Sequence, residues 1–215
     1  MNHETIAIID YGSQYTQLIA RRIRELNVYS IIIPHDFQES YISLKNIKGI
    51  ILSGGPSSVY DKESPKLNKK ILSYNIPILG ICYGLQLLVE EFGGSVNNSS
   101  IGEYGPSNID IVNNDYLFKD IPSSINAWMS HGDRINTMPK DWKVTSQSEN
   151  SIISSIENHS RNIFGVQFHP EVVHTHQGNN IIKNFILNIC RAKQDWSSKN
   201  FINESIKNIR DTVGN

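Results

Sequence analysis

A Gly-x-Cys-x-Gly pentapeptide, Gly80-Ile81-Cys82-Tyr83-Gly84, separates a short apolar run from a helical pattern. The run at residues 77–81 opens with proline and is apolar, which predicts a buried strand. Residues 83–92 carry apolar side chains at helical spacing and are followed by two glycines, which predicts a helix that ends there. A strand that turns directly into a helix through flanking glycines is the geometry of a nucleophile elbow. The pentapeptide therefore constrains the chain to an α/β fold with Cys82 on a tight turn.

A cysteine at this turn is suited to nucleophilic chemistry. The adjacent helix N-terminus carries partial positive charge and favours the thiolate, which is the reactive form. The second cysteine, Cys190, lies among Phe185, Ile186 and Ile189 on a predicted helix, and we expect it to fill core space. Cys82 is thus the predicted catalytic nucleophile.

The segment 163–171 supplies a candidate base. It is strand-like up to Pro170, and residues two apart in an extended chain project to the same side. His169 and Glu171 can therefore face one site, with the glutamate accepting from one imidazole nitrogen while the other faces Cys82. Alone, a His-Pro-Glu tripeptide would be interpreted as an ordinary strand end. Together with the elbow, it predicts a Cys82-His169-Glu171 triad.

Strand and helix signals alternate through the first half of the chain, as in parallel βαβ units. Strands are predicted at residues 6–9, 29–33 and 49–52, with helices at 15–26, between 33 and 49, and at 67–74. Beyond residue 95 the runs become shorter and more strand-like, at 109–112, 143–145 and 151–153, before a helix at about 179–190. We predict an α/β fold with an open, mostly parallel, flavodoxin-like sheet flanked by helices, and additional mixed or antiparallel strands in the second half.

The bulk properties exclude several classes of protein. The 215 residues fit one domain, and 20 basic against 21 acidic residues give a net charge of −1, without the electrostatic footprint of a nucleic-acid or membrane-surface protein. No signal peptide or membrane span is indicated, and two cysteines exclude a disulfide scaffold. We expect a soluble, cytoplasmic protein.

Two further groups of residues have competing interpretations. Gly54-Gly55-Pro56 follows a strand but lacks the Gly-Lys-Ser/Thr ending of a phosphate-binding loop. A plain turn is the simple alternative, whereas backbone N–H groups that stabilise an oxyanion are favoured once Cys82 is present. His174 and His176 have no further ligand at metal-binding spacing, so we predict no metal site.

Several motifs together resemble one family. Residues 80–86 and 165–171 resemble the signatures of class I, triad-type glutamine amidotransferases. Residues 10–22, 52–60, 128–133 and 174–178 resemble the glutaminase domain of the GMP synthetases within that family. The match runs in order from about residue 5 to the C-terminus, although Gly102 stands where a basic residue is usual.

The resemblance implies roles for residues outside the triad. The amides of the Gly55 region and of Tyr83 would form the oxyanion hole. Asp133 would pair with the substrate α-ammonium, which would offset the cost of desolvating that charge. The complete implied set of glutamine-binding residues is Gly54, Gln86, Ser130, Gly132 and Asp133.

The resemblance also implies an organisation. Residues 1–191 would form a glutaminase domain that supplies ammonia for ATP-dependent amination of XMP to GMP. Residues 192–215, which contain a weak amphipathic pattern, would lead toward an ATP-pyrophosphatase synthetase domain in the same longer chain. That domain would bind ATP and Mg²⁺, no cofactor is expected on this chain, and the full-length enzyme could be a homodimer.

Three alternatives remain at this stage. A glutaminase of the carbamoyl phosphate or anthranilate synthase type shares the triad, but residues 10–22 and 128–133 favour the GMP synthetases. A cysteine peptidase or γ-glutamyl hydrolase would also use a cysteine and a histidine. A non-catalytic regulatory or docking domain would be expected to have lost part of the triad, whereas all three members are present.

Overall fold

A computed structural model of the chain describes residues 3–38 and 46–213. Within these ranges one nine-stranded sheet has the order β2-β1-β3-β4-β9-β8-β7-β5-β6. The first five strands in this order, β2, β1, β3, β4 and β9, are parallel. This is the 2-1-3-4-5 arrangement of flavodoxin-like folds. Their bounds are Thr5–Asp10 (β1), Tyr29–Pro34 (β2), Ile47–Leu52 (β3), Ile78–Ile81 (β4) and Ile163–Val166 (β9).

The other strands extend the sheet beyond β9 and are antiparallel, which confirms the mixed second half. They are Ser95–Ile111 (β5), Ser124–Thr137 (β6), Lys143–Ser148 (β7) and Ile153–Asn158 (β8). The prediction of only short runs was wrong for β5 and β6, which form a long hairpin. The apolar–polar alternation of β5 is interrupted by glycines, by a proline and by a register shift between Asn98 and Glu103. The pairing of β5 with β6 nevertheless continues. Ser151 lies in a turn with φ of 58°, so β8 begins two residues later than predicted.

The helices flank the parallel strands. They are Thr16–Glu25 (α1), Tyr83–Glu91 (α2), Gly178–Lys183 (α3) and Ser198–Val213 (α4). The helix predicted at 67–74 is a 3₁₀ helix over Lys69–Tyr74, and the one predicted at 179–190 starts at Gly178 and becomes a π-helix over Asn184–Ile189. The predicted helix between β2 and β3 involves residues 39–45, which lie outside the described residues.

The core occupies both faces of the parallel strands, because their side chains alternate between two layers. In β1, Ile6 and Ile8 pack with α1 and α3 on one face. Ala7 and Ile9 point to the other face and pack with α2. A strand buried on both sides explains why its sequence is continuously apolar. No helix of the described ranges is long and apolar enough to cross a membrane.

Two glycines allow α2 to start directly on the sheet. A Cβ on Gly80 would lie 2.6 Å from the backbone of Gly84 and Leu85, and one on Gly84 would overlap the backbone of Leu52 in β3. The Gly84 N–H donates to the Ser53 carbonyl at 3.1 Å. This close approach brings the end of β4 and the start of α2 to the carboxyl edge of the parallel strands, which is where such sheets bind ligands.

The segment after α3 returns along the domain before α4 begins. The Lys193 N–H donates to Glu4 Oε2 at 2.8 Å, Gln194 Nε2 to the Leu26 carbonyl at 2.9 Å, and the Trp196 N–H to the Asn27 carbonyl at 3.0 Å. Ala192 lies in the core. The predicted linker is therefore anchored to the domain up to Trp196.

We expect Gly84→Ala to lower the free energy of unfolding by at least about 2 kcal/mol, because the new methyl group would overlap backbone rather than a movable side chain. Chemical denaturation provides the measurement. Gln17→Ala, at an exposed position of α1, is the control and should change stability by no more than about 0.5 kcal/mol. Equal stability of the two variants would contradict the role given to the glycine.

Candidate active site

Cys82 occupies a strained position between β4 and α2. Its backbone has φ of 51° and ψ of −105°, a region that L-residues rarely adopt and that costs about 1–3 kcal/mol. The turn is held from both sides, since the Cys82 N–H donates to the Val166 carbonyl at 2.8 Å and its carbonyl accepts from the Gln86 N–H at 3.2 Å. The thiol is thereby fixed at the N-terminus of α2 and lines a cavity.

His169 and Glu171 form the pair that the two-residue spacing predicts. Their Nδ1 and Oε1 atoms lie 2.8 Å apart, and both side chains are buried. The Nδ1–H donates to the carboxylate, which leaves Nε2 as the nitrogen available to Cys82. The backbone carbonyl of Glu171 in turn accepts from Arg22 Nε at 3.0 Å.

The electrostatic surroundings favour a charged His169. Burial is the largest influence and opposes the imidazolium, but hydrogen bonding with Cys82 and Glu171 and the charges of both partners raise the pKa of His169 to about 10. A protonated imidazole beside the sulfur stabilises a thiolate. The arrangement therefore places an imidazolium beside the sulfur at neutral pH.

The loop that carries His169 is clamped by the segment 175–178. Thr175 Oγ1 donates to the His169 carbonyl at 2.7 Å and accepts from the Trp128 N–H at 3.0 Å, while the His169 N–H donates to the Trp128 carbonyl at 3.0 Å. A Cβ on Gly178 would overlap the Pro170 carbonyl. These contacts join His169 to β6, so the position of its ring does not depend on the loop alone.

Gln167 is a neighbour of Cys82 that the sequence interpretation missed. Its Nε2 donates to Cys82 Sγ at 3.6 Å, and its Oε1 accepts from Gln86 Nε2 at 3.4 Å. Both glutamines are buried. Gln167 precedes His169 by the same two residues that separate His169 from Glu171. The two-residue period of an extended chain could therefore have predicted that Gln167 faces the same site.

A cavity of about 560 Å³ opens beside Cys82 and is large enough for an amino acid. Gly54 packs beneath this cavity, where a Cβ would lie 3.2 Å from His169 Cε1, and Glu171 lies behind His169. The other candidate residues all line the cavity: Gly55, Cys82, Tyr83, Gln86, Ser130, Gly132, Asp133 and His169.

Asp133 is held by two hydroxyl groups from the loop after β3. Ser58 Oγ donates to Oδ2 at 2.6 Å and Tyr60 OH donates to Oδ1 at 2.8 Å. The carboxylate is buried at the cavity wall with its hydrogen bonds oriented. Ser58 and Tyr60 are more than 70 residues away in the chain, and no sequence pattern connects them to Asp133.

The remaining candidates are explained by packing. The His174 ring lies 4.7 Å from the Trp128 ring, and no group of three or more possible metal ligands occurs within residues 3–38 and 46–213. Cys190 is part of the core, and burial raises the pKa of its thiol. A Cβ on Gly49 would overlap Cys190 Sγ.

Comparison with known proteins identifies the family. The glutamine amidotransferase class-I family profile matches residues 7–189, which is most of the chain. The chain belongs to the class-I glutamine amidotransferases. Cys82, His169 and Glu171 all lie within the matched region.

Curated relatives of this amidotransferase chain are GMP synthases (glutamine-hydrolyzing). The enzyme of Petrotoga mobilis is 52% identical over 98% of the chain and 41% of its own length. That of Caldanaerobacter subterraneus is 48% identical over 100% of the chain and 42% of its own length. The chain thus spans about two fifths of the curated relatives that it matches.

Solved structures of other proteins share the fold. A Thermoplasma acidophilum protein, provisionally named as one subunit of a GMP synthase, has a TM-score of 0.76 and 32% identity, with 89% of this chain and 96% of that chain covered. A Thermotoga maritima glutamine amidotransferase has a TM-score of 0.66 and 23% identity, with 80% and 78% covered. The second likeness supports the fold alone.

We expect His169 to remain protonated through neutral pH and to titrate near pH 10 in NMR spectra of its ring. This folded-state pKa exceeds the unfolded value of about 6.5. The pairing therefore contributes its full stabilisation of the fold below about pH 6.5, and this stabilisation is lost as the pH rises toward 10. Cys82→Ser should lower the pKa of His169, because the thiol is the first of the groups that raise it. An unchanged pKa in that variant would contradict the pairing.

Proposed function

We propose that this chain is the glutaminase part of a GMP synthase. It hydrolyses L-glutamine and supplies ammonia for the ATP-dependent amination of XMP to GMP. The observation that carries the proposal is the strained Cys82 turn beside the His169–Glu171 pair, at a cavity that fits an amino acid. The relatives named GMP synthase favour this acceptor over the carbamoyl phosphate and anthranilate alternatives.

The first half of the reaction forms a thioester. The Cys82 thiolate attacks the carboxamide carbon of glutamine, and the C–S bond forms as the carbonyl electrons move to oxygen. The Gly55 region and the Tyr83 amide stabilise this oxyanion; Tyr83 opens α2, so its N–H has no acceptor within the helix. The tetrahedral intermediate then breaks its C–N bond, and the His169 imidazolium gives its proton to the leaving nitrogen as ammonia departs.

The second half regenerates the enzyme. Neutral His169 removes a proton from water, whose oxygen attacks the thioester carbon through a second oxyanion. The C–S bond breaks, glutamate leaves, and the thiolate and imidazolium are restored. Glu171 keeps the imidazole in one orientation and stabilises its positive charge. Gln167, whose amide donates to the sulfur at 3.6 Å, stabilises the thiolate in both halves.

The cavity wall supplies the proposed substrate contacts. In this proposal the α-ammonium binds Asp133, whose two oxygens accept hydrogen bonds from Ser58 and Tyr60. Gln86, Ser130 and Gly132 line the cavity and would border the side chain of the bound glutamine. Gly54 contributes by its small size, because a Cβ at this position would lie 3.2 Å from His169 Cε1.

The acceptor chemistry requires more than the glutaminase. We propose that residues 1–191 form the glutaminase domain, that residues 192–215 lead to a synthetase domain in the same longer chain, and that ATP, Mg²⁺ and XMP bind there. The solved chain of similar extent favours a second arrangement, in which a separate subunit carries the synthetase. We place the enzyme in the cytoplasm and propose a homodimer for the full-length form.

Cys82→Ala should abolish glutamine hydrolysis, because no other group at the turn can form the thioester. His169→Ala should lower kcat by about two to four decades, and Glu171→Gln by less, because it misorients the imidazole instead of removing it. Cys190→Ala is the matched cysteine control and should keep its activity.

An electrophilic glutamine analogue should label Cys82 and spare Cys190. Labelling of Cys190 instead of Cys82, or glutamine hydrolysis by Cys82→Ala, would reject Cys82 as the nucleophile.

We expect the 215-residue chain to hydrolyse glutamine slowly and to form no GMP from glutamine, XMP and ATP, because amination needs the synthetase sites. Addition of a separately produced synthetase domain should restore GMP formation. XMP and ATP bound to it should raise glutaminase turnover if the sites are energetically coupled. GMP formation by the chain alone would show that the nucleotide sites have been misplaced.

A further inference from the structure

A second histidine–carboxylate pair lies beside the proposed triad and has no part in the reaction described above. Glu103 of β5 and His131 of β6 face each other directly in the hairpin register. Their Oε2 and Nε2 atoms are 3.3 Å apart. Each residue is only 6% exposed, so both ionisable groups are removed from water, where an unsatisfied polar atom is costly.

The other hydrogen bonds of this pair determine its protonation. His131 Nδ1 lies 2.8 Å from the Asp133 backbone carbonyl, which is only an acceptor, so Nδ1 must carry a hydrogen. Glu103 Oε1 accepts from Asn150 Nδ2 at 3.1 Å. Neither Oε2 nor Nε2 makes a hydrogen bond of good geometry with any described residue, each other included, although the two atoms lie 3.3 Å apart. Without a proton between them, two lone pairs would face each other in the interior.

The charged neighbours do not fix this proton on the imidazole. Burial is the largest influence and lowers the pKa of His131, and the positive charge of His169 lowers it further. The carbonyl and carboxylate of Asp133 and the charge of Glu103 act in the opposite direction. The requirement for a proton therefore comes from the geometry, in which two buried atoms that both carry lone pairs lie 3.3 Å apart.

We propose that the Glu103–His131 pair positions the glutamine-binding strand segment 130–133 and does so only while it holds one proton. This inference rests on the proposed glutaminase function. His131 fixes the Asp133 carbonyl, and the same segment places the Ser130 carbonyl 3.9 Å from Cys82 Sγ. Loss of the proton makes Oε2 and Nε2 repel each other, which displaces the cavity wall that binds glutamine without touching the triad.

Glu103→Ala and Glu103→Gln separate this role from general stability. The alanine variant leaves Nε2 unpaired and should raise the KM for glutamine about tenfold or more, with kcat changed less than about threefold. In the glutamine variant, the amide can donate to Nε2 and accept from Asn150, so its KM should stay within about threefold of the parent value. Asp110→Asn, at an exposed position of the same strand, is the control and should match the parent.

The pH dependence gives a readout that a purely structural residue would not change. The KM of the parent should rise as the pH increases and the pair loses its proton, whereas Glu103→Gln has no such proton and should lack that rise. His169 and the substrate amine titrate equally in both proteins and cancel in the comparison. Should Glu103→Ala fail to fold, this comparison still decides the question.

Ring-nitrogen NMR of His131 tests the pair without reference to activity. The proton at Nε2 should be hydrogen-bonded in the parent and lost or solvent-exchanging in Glu103→Ala. An unchanged KM in Glu103→Ala, an equal defect in Glu103→Gln, or a free Nε2 in the parent would overturn the inference. A parent that shows the shared proton but does not hydrolyse glutamine would reject the proposed function instead.

Discussion

The close packing of α2 on the ends of β3 and β4 is the constraint on which the rest of the site depends. Gly80 and Gly84 permit it, because a side chain at either position would meet backbone. The chain can then turn within one residue, and that residue, Cys82, takes a backbone conformation that costs about 1–3 kcal/mol. Leu85 and Leu88 are fully buried by the same packing, and each contributes about 1.5–3 kcal/mol. The apolar face of α2 therefore outweighs the strain that exposes the sulfur to the cavity.

The two histidine–carboxylate pairs show how neighbours assign different roles to the same residue types. Both imidazoles are buried and both donate through Nδ1, to the Glu171 carboxylate in one case and to the Asp133 carbonyl in the other. The partner at Nε2 differs, since Cys82 lies beside His169 and Glu103 lies beside His131. Cys82 beside His169 favours the imidazolium, and the pKa rises to about 10, whereas the pKa of His131 is lowered by burial and by the nearby His169. In the proposed reaction, only the His169 site holds a proton that can pass to the leaving ammonia.

Local patterns predicted the parts of this structure that depend on neighbours in sequence. The elbow, the parallel strands and the His169–Glu171 pair follow from short spacings, and Gln167 could have been included by the same two-residue rule. The contacts of Asp133 with Ser58 and Tyr60, and of Glu103 with His131, depend instead on how distant segments fold over the sheet edge. The length of the hairpin was missed because its irregular register and its glycines hide continuous pairing. The π-helical turn at Asn184–Ile189 was missed because Asn184 donates to the Leu117 and Lys119 carbonyls, which is a tertiary contact.

The sheet order explains how residues 82 and 169 meet although 87 positions separate them. β4 and β9 are neighbours, with Ile81 opposite Val166, so the residues that follow both strands emerge side by side. The long insertion between them adds its antiparallel strands beyond β9 and leaves the β4–β9 contact intact. Its hairpin then returns over the carboxyl edge, where Trp128 holds the His169 backbone and the segment 130–133 forms the cavity wall. Cys82 and His169 are thus brought together by adjacent parallel strands, while the insertion holds the His169 backbone and supplies the cavity wall at residues 130–133.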